Sequence, residues 1–100
     1  MGGVNLATWQ MKLSKISIVI PLFNEKRTIL KILKRVEEAK IGQIRKEIII
    51  VDDGSSDGTR QILKKLKGRK NYKIYYHSKN KGKGAALKTG FLHTTGEVVI

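Results

Sequence analysis

Apolar positions along the chain alternate between two rhythms. Ile16-Ser17-Ile18-Val19-Ile20 is β-branched and nearly continuously apolar, which predicts a strand buried on both faces and stopped by Pro21. Ile29, Ile32, Leu33 and Val36 then recur at helical spacing, with Lys31, Lys34, Arg35, Glu37 and Glu38 on the outer face. Asn24 reads as the N-cap of that helix, with Glu25 in its first turn. A second buried strand is expected over Glu47-Ile48-Ile49-Ile50-Val51, beyond a connection containing Gly42. Ile62, Leu63 and Leu66 mark a second helix ending near Gly68, and Tyr72 to His77 alternates as a third strand. Lys79 to Gly84 reads as a loop and Ala85 to His93 as a third helix, before Glu97-Val98-Val99-Ile100 opens a fourth strand.

Strands alternating with helices predict an α/β fold: a mostly parallel sheet with helices on both faces. In such sheets ligands bind beyond the carboxyl ends of the strands. Three segments follow those ends here: Pro21 to Glu25, Asp52 to Thr59, and His77 to Gly84. They should share one edge of the sheet. The sequence stops within the fourth strand, so a front part of a longer protein is expected, with 16–100 as its incomplete domain. Residues 1–15 read as a leader. That stretch is too short and polar for a signal peptide, Leu6 stands where a myristoylation signal needs Ser or Thr, and Met11 is a second candidate start.

Composition narrows the class. In 100 residues, 40% are hydrophobic, Gly is 10 and Pro is 1, which excludes collagen-like and Pro-rich chains. No apolar run approaches the ~18 residues of a membrane span. With Cys at 0, disulfides and thiolate zinc sites are excluded. Lys plus Arg is 21 against 8 acids, a formal +13. No acid lies between Asp57 and Glu97, where Arg60, Lys64, Lys65, Lys67, Arg69 and Lys88 are among the cations. Such a surface favours polyanions or an anionic membrane leaflet, and equally suits a solvated helix face.

The candidate chemistry lies in the three strand-end segments. Asp52 and Asp53 follow a buried strand; one carboxylate can accept hydrogen bonds from a base or ribose while the other supports the loop. With Ser55, Ser56 and Asp57 they can equally close a turn and cap a helix. Phe23 offers a flat face to a base. Lys81-Gly82-Lys83-Gly84 joins a Gly-containing loop to a helix start, an arrangement suited to phosphate. Neither the P-loop spacing nor Gly-x-Gly-x-x-Gly after the first strand occurs, which disfavours a nicotinamide cofactor. His77 and His93 lack partners at metal spacing and read as structural or surface residues. Trp9, Tyr72, Tyr75 and Tyr76 read as packing groups.

Together these segments resemble family 2 glycosyltransferases. Ser17 to Glu25 (SIVIPLFNE) is similar to their opening strand and loop, and Glu47 to Thr59 (EIIIVDDGSSDGT) to their second strand and Asp-Asp-Gly-Ser turn. Asn80 to Phe91 (NKGKGAALKTGF) most resembles the branch that makes polyprenyl- and dolichyl-phosphate sugars, and Gly96 to Ile100 the strand leading to an Asp-x-Asp motif. The resemblance implies the Rossmann-like GT-A fold and a nucleotide-sugar donor, GDP- or UDP-linked. By position it puts Pro21, Phe23, Glu25, Val51 and Asp53 in the nucleoside pocket, with Asp53 the main hydrogen-bonding carboxylate, and Lys81 and Lys83 near the phosphates. Phe23 stands where the synthases often carry Tyr. The resemblance further implies a lipid-phosphate acceptor, a cytoplasmic protein peripheral to the membrane, and Mg²⁺ or Mn²⁺ held by residues beyond Ile100. The 100-residue piece alone is expected to be inactive. The other readings are a basic nucleic-acid-binding domain and a nucleotidyltransferase. The acidic pair argues against the first, and the lack of glycine in Pro21 to Glu25 against the second.

Overall fold

The computed structural model describes residues 15–39, 42, 44–69 and 71–99. The leader reading, with Trp9 and Met11, lies outside them apart from Lys15. The elements run β1 (Lys15–Leu22), α1 (Ile29–Glu38), β2 (Arg45–Asp52), α2 (Thr59–Lys65), β3 (Tyr72–Tyr76), α3 (Lys83–Phe91) and β4 (Glu97–Val99). All pairings are parallel and the strand order is β3-β2-β1-β4.

The two-residue period of the strands divides the core. Ile20 and Leu22 of β1 and Ile48 and Ile50 of β2 point to one face, where Ile29 and Leu33 of α1, Leu63 of α2 and Leu66 directly after it cover them. Ile49 and Val51 point to the other face, against Ala86 of α3 and Tyr75. Helices therefore lie on both faces, which is why β2 is almost continuously apolar. On that second face Gly90 brings α3 close to the sheet: a Cβ there would lie 2.4 Å from Val19 Cγ1.

Register sets the working edge. Leu22 pairs with Asp52, and Asp52 with Tyr76, so three strands end in one row. The chain moves outward from β1 to β2 to β3, then returns to the far side of β1 with β4. That reversal opens a crevice beyond the end of β1.

Several local expectations are corrected. Pro21 does not stop β1; it is the seventh residue of the strand. Leu22 carbonyl accepts the Asp53 N–H, so by alternation the Pro21 nitrogen faces the β4 side, where the described pairing ends at Ile18. Asn24 is not the N-cap of α1 and Glu25 is not in its first turn. Asn24 has φ 51°, the cap position is Thr28, and the Glu25 carbonyl accepts the N–H groups of Thr28 and Ile29. Asn24 is engaged instead by the loop after β2. The third helix begins at Lys83 rather than Ala85, directly after Gly82 with φ 98°.

Candidate functional site

The loop after β1 and the loop after β2 are laced together. The Asn24 N–H donates to Ser55 Oγ (2.9 Å), and the Ser56 N–H donates to Asn24 Oδ1 (2.8 Å). The Glu25 N–H donates to Thr59 Oγ1 (2.9 Å), and the Lys26 N–H to Asp57 Oδ2 (3.1 Å). Asp57 Oδ1 accepts from the backbone N–H and hydroxyl of Thr59 at the start of α2. Thus Ser55, Asp57 and Thr59 fix a neighbouring loop as well as their own. The bond from Thr59, with smaller help from the backbone, holds the Asp57 carboxyl below its ordinary range.

The two adjacent aspartates have divided tasks. Asp52 is fully buried; its Oδ2 accepts from Arg60 Nε (3.1 Å) and the Ser55 N–H (3.3 Å). Arg60 also donates to the His77 carbonyl (2.6 Å) and lies over the Tyr76 ring. Asp52 therefore supports the junction of the second and third loops.

Asp53 joins the second loop to the third directly. Its Oδ1 accepts from His77 Nδ1 (2.8 Å) and the Lys81 N–H (2.9 Å). Its Oδ2 accepts from the Gly82 N–H (2.9 Å) and Asn80 Nδ2 (3.1 Å). Burial pushes the Asp53 carboxyl up, but the bonds from His77, Lys81 and Gly82 outweigh it and hold it below the usual carboxylate range. The carboxylate thus sits at the N-terminal end of α3, where the helix dipole also favours negative charge. Gly54 makes the loop crossing possible: with φ +75°, its Cβ position lies 2.4 Å from Asn80 N and Lys79 C.

These tied loops enclose a cavity of about 500 Å³ lined by Pro21, Leu22, Phe23, Glu25, Asp53, Asn80, Gly82, Lys83 and Ala86. Five of the sequence-expected site residues line it together: Pro21, Phe23, Glu25, Asp53 and Lys83. Phe23 is 46% exposed, so a large part of its ring is free. Val51 lies fully buried beneath, packed with Ile49 and Ala86, and Lys81 contributes its backbone N–H to Asp53. Asn80 escaped sequence reasoning, as did the part played by His77. The sole hint was their place in a strand-end segment, because their roles depend on a residue more than twenty positions away. His93 stacks on Tyr75 with ring centroids 3.9 Å apart. Among the described residues no three or more His, Cys, Asp or Glu side chains converge as metal ligands, and the Asp53 oxygens are committed to internal donors.

The parallel sheet, its covered faces and the cavity at its reversal point define a Rossmann-like α/β domain. The profile of glycosyl transferase family 2 matches residues 17–100, and the chain belongs to that family. Over 96 residues it is 34% identical to undecaprenyl-phosphate 4-deoxy-4-formamido-L-arabinose transferase of Sodalis glossinidius (strain morsitans), covering 93% of this chain and 29% of that protein. Solved structures agree. Mannosyltransferase PcManGT from Pyrobaculum calidifontis, in complex with GDP-Man and Mn²⁺, superposes with a TM-score of 0.75 at 28% identity, covering 85% of this chain and 26% of that one. S. aureus TarS 1-349 in complex with UDP superposes with a TM-score of 0.74 at the same identity and coverage. The chain thus spans less than a third of the length of these relatives.

Proposed function

We propose that this chain supplies the donor-binding part of a glycosyltransferase that moves a sugar from a UDP- or GDP-linked donor to a polyprenyl phosphate. The observation that carries this reading is the single cavity assembled from all three strand-end segments, with an open aromatic face at one wall and Lys83 at the start of α3 at another. Phe23 suits a base and Pro21 borders the same wall, while Val51 lines no part of the cavity and acts only through its packing against Ala86. Glu25 and Asp53 border the ribose and base side, with Asp53 setting the loop position. Lys83, joined by Lys81, suits the diphosphate. The complexes of PcManGT with GDP-Man and Mn²⁺ and of TarS with UDP lend support, as does the name of the arabinose transferase relative.

The reaction would be a displacement at the anomeric carbon. The bond from that carbon to the diphosphate oxygen breaks as an acceptor oxygen forms its own bond there. A phosphate acceptor is already ionised and needs little help from a base. A divalent metal would stabilise the leaving diphosphate in the whole protein. Its ligands would come from the Asp-x-Asp motif that the family resemblance implies beyond Ile100.

No helix among the described residues is long and apolar enough to cross a membrane. Lys64, Lys65, Lys67 and Arg69, exposed on and after α2, suit peripheral contact with an anionic cytoplasmic leaflet, at about 1 kcal/mol per cation near the surface.

The test is calorimetric titration of UDP- and GDP-sugars into the full-length protein with Mn²⁺, followed by assay of labelled sugar transfer to polyprenyl phosphate. Binding of one sugar nucleotide with transfer to the lipid is expected. Failure of both nucleotides to bind would remove the reading.

A further inference from the structure

His77 is buried at the end of β3, and both its ring nitrogens are engaged. Nδ1 lies 2.8 Å from Asp53 Oδ1, and Nε2 lies 2.8 Å from Thr89 Oγ1 on α3. An ionised Asp53 requires Nδ1 to carry a proton. In the neutral imidazole Nε2 then accepts from the Thr89 hydroxyl, which fixes ring and tautomer together. Through this ring, Asp53, just after β2, is connected to the last turn of α3.

The connection bears on the cavity wall. Asp53 also binds the N–H groups of Lys81 and Gly82 and the side chain of Asn80, and Asn80, Gly82 and Asp53 itself line the cavity. A carboxylate free to rotate about χ2 cannot hold two successive N–H groups in one direction. His77 Nδ1 shares Oδ1 with the Lys81 N–H and so adds an anchor from outside the 80–82 segment against that rotation.

We infer that His77 is a positioning residue: with Thr89 it clamps Asp53, and through Asp53 it fixes the 80–82 loop over the cavity. It touches no ligand in this role. The sugar-nucleotide consequence rests on the donor-site reading above, but the clamp itself does not. Without it the loop samples other positions, so donor binding weakens while chemistry in the occupied enzyme is preserved.

The test uses the full-length protein and the variants His77→Leu, His77→Asn and Thr89→Val. Asn places an amide N–H near the position of Nδ1 and can keep the bond to Asp53; Leu cannot. Amide hydrogen exchange over 80–83 should accelerate about tenfold in His77→Leu and return to within threefold of wild type in His77→Asn, in line with loss of one hydrogen bond to a charged group. Thr89→Val should fall between them. The dissociation constant for the preferred nucleotide and the KM for its sugar donor should rise about tenfold in His77→Leu, with kcat changed less than threefold. Unchanged exchange at 80–83 in His77→Leu would overturn the clamp. Accelerated exchange in a protein whose wild type binds neither UDP nor GDP would uphold the clamp and remove the donor-site reading instead.

Discussion

The Lys73 ammonium on β3 lies 2.5 Å from the carboxylate of Glu47 on β2, whose side chain is only 4% exposed. The same carboxylate accepts from Ser17 Oγ on β1 (2.6 Å) and from the N–H and hydroxyl of Thr95 ahead of β4 (both 2.9 Å). One buried anion thus ties together all four strands at the edge opposite the cavity, an arrangement in which a lost charge leaves several donors unmatched.

This predicts acid sensitivity. Burial raises the Glu47 carboxyl, but bonds from Lys73, Ser17 and Thr95 outweigh it and bring it from 4.5 to about 2. A depressed carboxylate contributes stability that is fully present above pH 4.5 and lost as pH falls toward 2. The contribution is on the order of 3 kcal/mol. In urea unfolding, wild type should lose stability between those pH values. Glu47→Gln should be less stable at neutral pH and show a flatter profile over the same range. Parallel profiles for the two proteins would contradict this.

Gly54 should tolerate no side chain. Its positive φ penalises any L residue, and the Cβ would strike backbone rather than a movable side chain. Gly54→Ala is expected to cost at least about 2 kcal/mol from strain and displacement together. It should also weaken nucleotide binding, since the displaced backbone is that of Lys79 and Asn80 beside the cavity. Chemical denaturation and titration calorimetry on the same variant measure both effects.

Much of this architecture was legible in the chain. The β-branched runs Ile16 to Ile20 and Glu47 to Val51 gave strands, and the spacing of Ile29, Ile32, Leu33 and Val36 gave a helix, because both periods are local properties. The convergence of three strand-end segments followed from parallel topology alone. Asn24 misled for a physical reason. Asn is a good cap and also tolerates positive φ, and here cross-loop bonds to Ser55 and Ser56 favoured the second property. Pro21 misled because its cost in a strand depends on which neighbour the nitrogen faces, which is fixed by strand order. The Ser17–Glu47–Thr95 cluster and the His77–Asp53 pair were beyond reach for the same reason: each joins residues at least 24 positions apart.

Helix α1 ends on a side chain from the next strand. Lys46 Nζ donates to the carbonyls of Val36 (2.9 Å), Glu37 (2.7 Å) and Ala39 (2.6 Å). The cation satisfies terminal acceptors and opposes the negative end of the helix dipole. Lys46→Met keeps the aliphatic stem and removes the donors. It should cost about 1–3 kcal/mol in denaturant unfolding, and exchange should rise at the last turn of α1 while 80–83 stays protected. An effect spread evenly over the domain would argue against a local cap.

Phe23 supplies the sharpest test of how the cavity would hold a base. The ring sits after β1 at the cavity wall, and its 46% exposure leaves a face for stacking. Stacking of a base on an aromatic residue contributes about 1–3 kcal/mol, so Phe23→Ala should raise the nucleotide dissociation constant at least about fivefold. Because the side chain is half outside the core, its removal should shift the unfolding midpoint little, which separates lost binding from lost folding. Phe23→Tyr keeps the ring and should bind within about threefold of wild type, whereas Phe23→Leu keeps bulk without the flat face and should resemble Ala. Equal affinity for Leu, Tyr and wild type would mean that Phe23 merely fills space, and the base would then have to lie against another wall of the cavity.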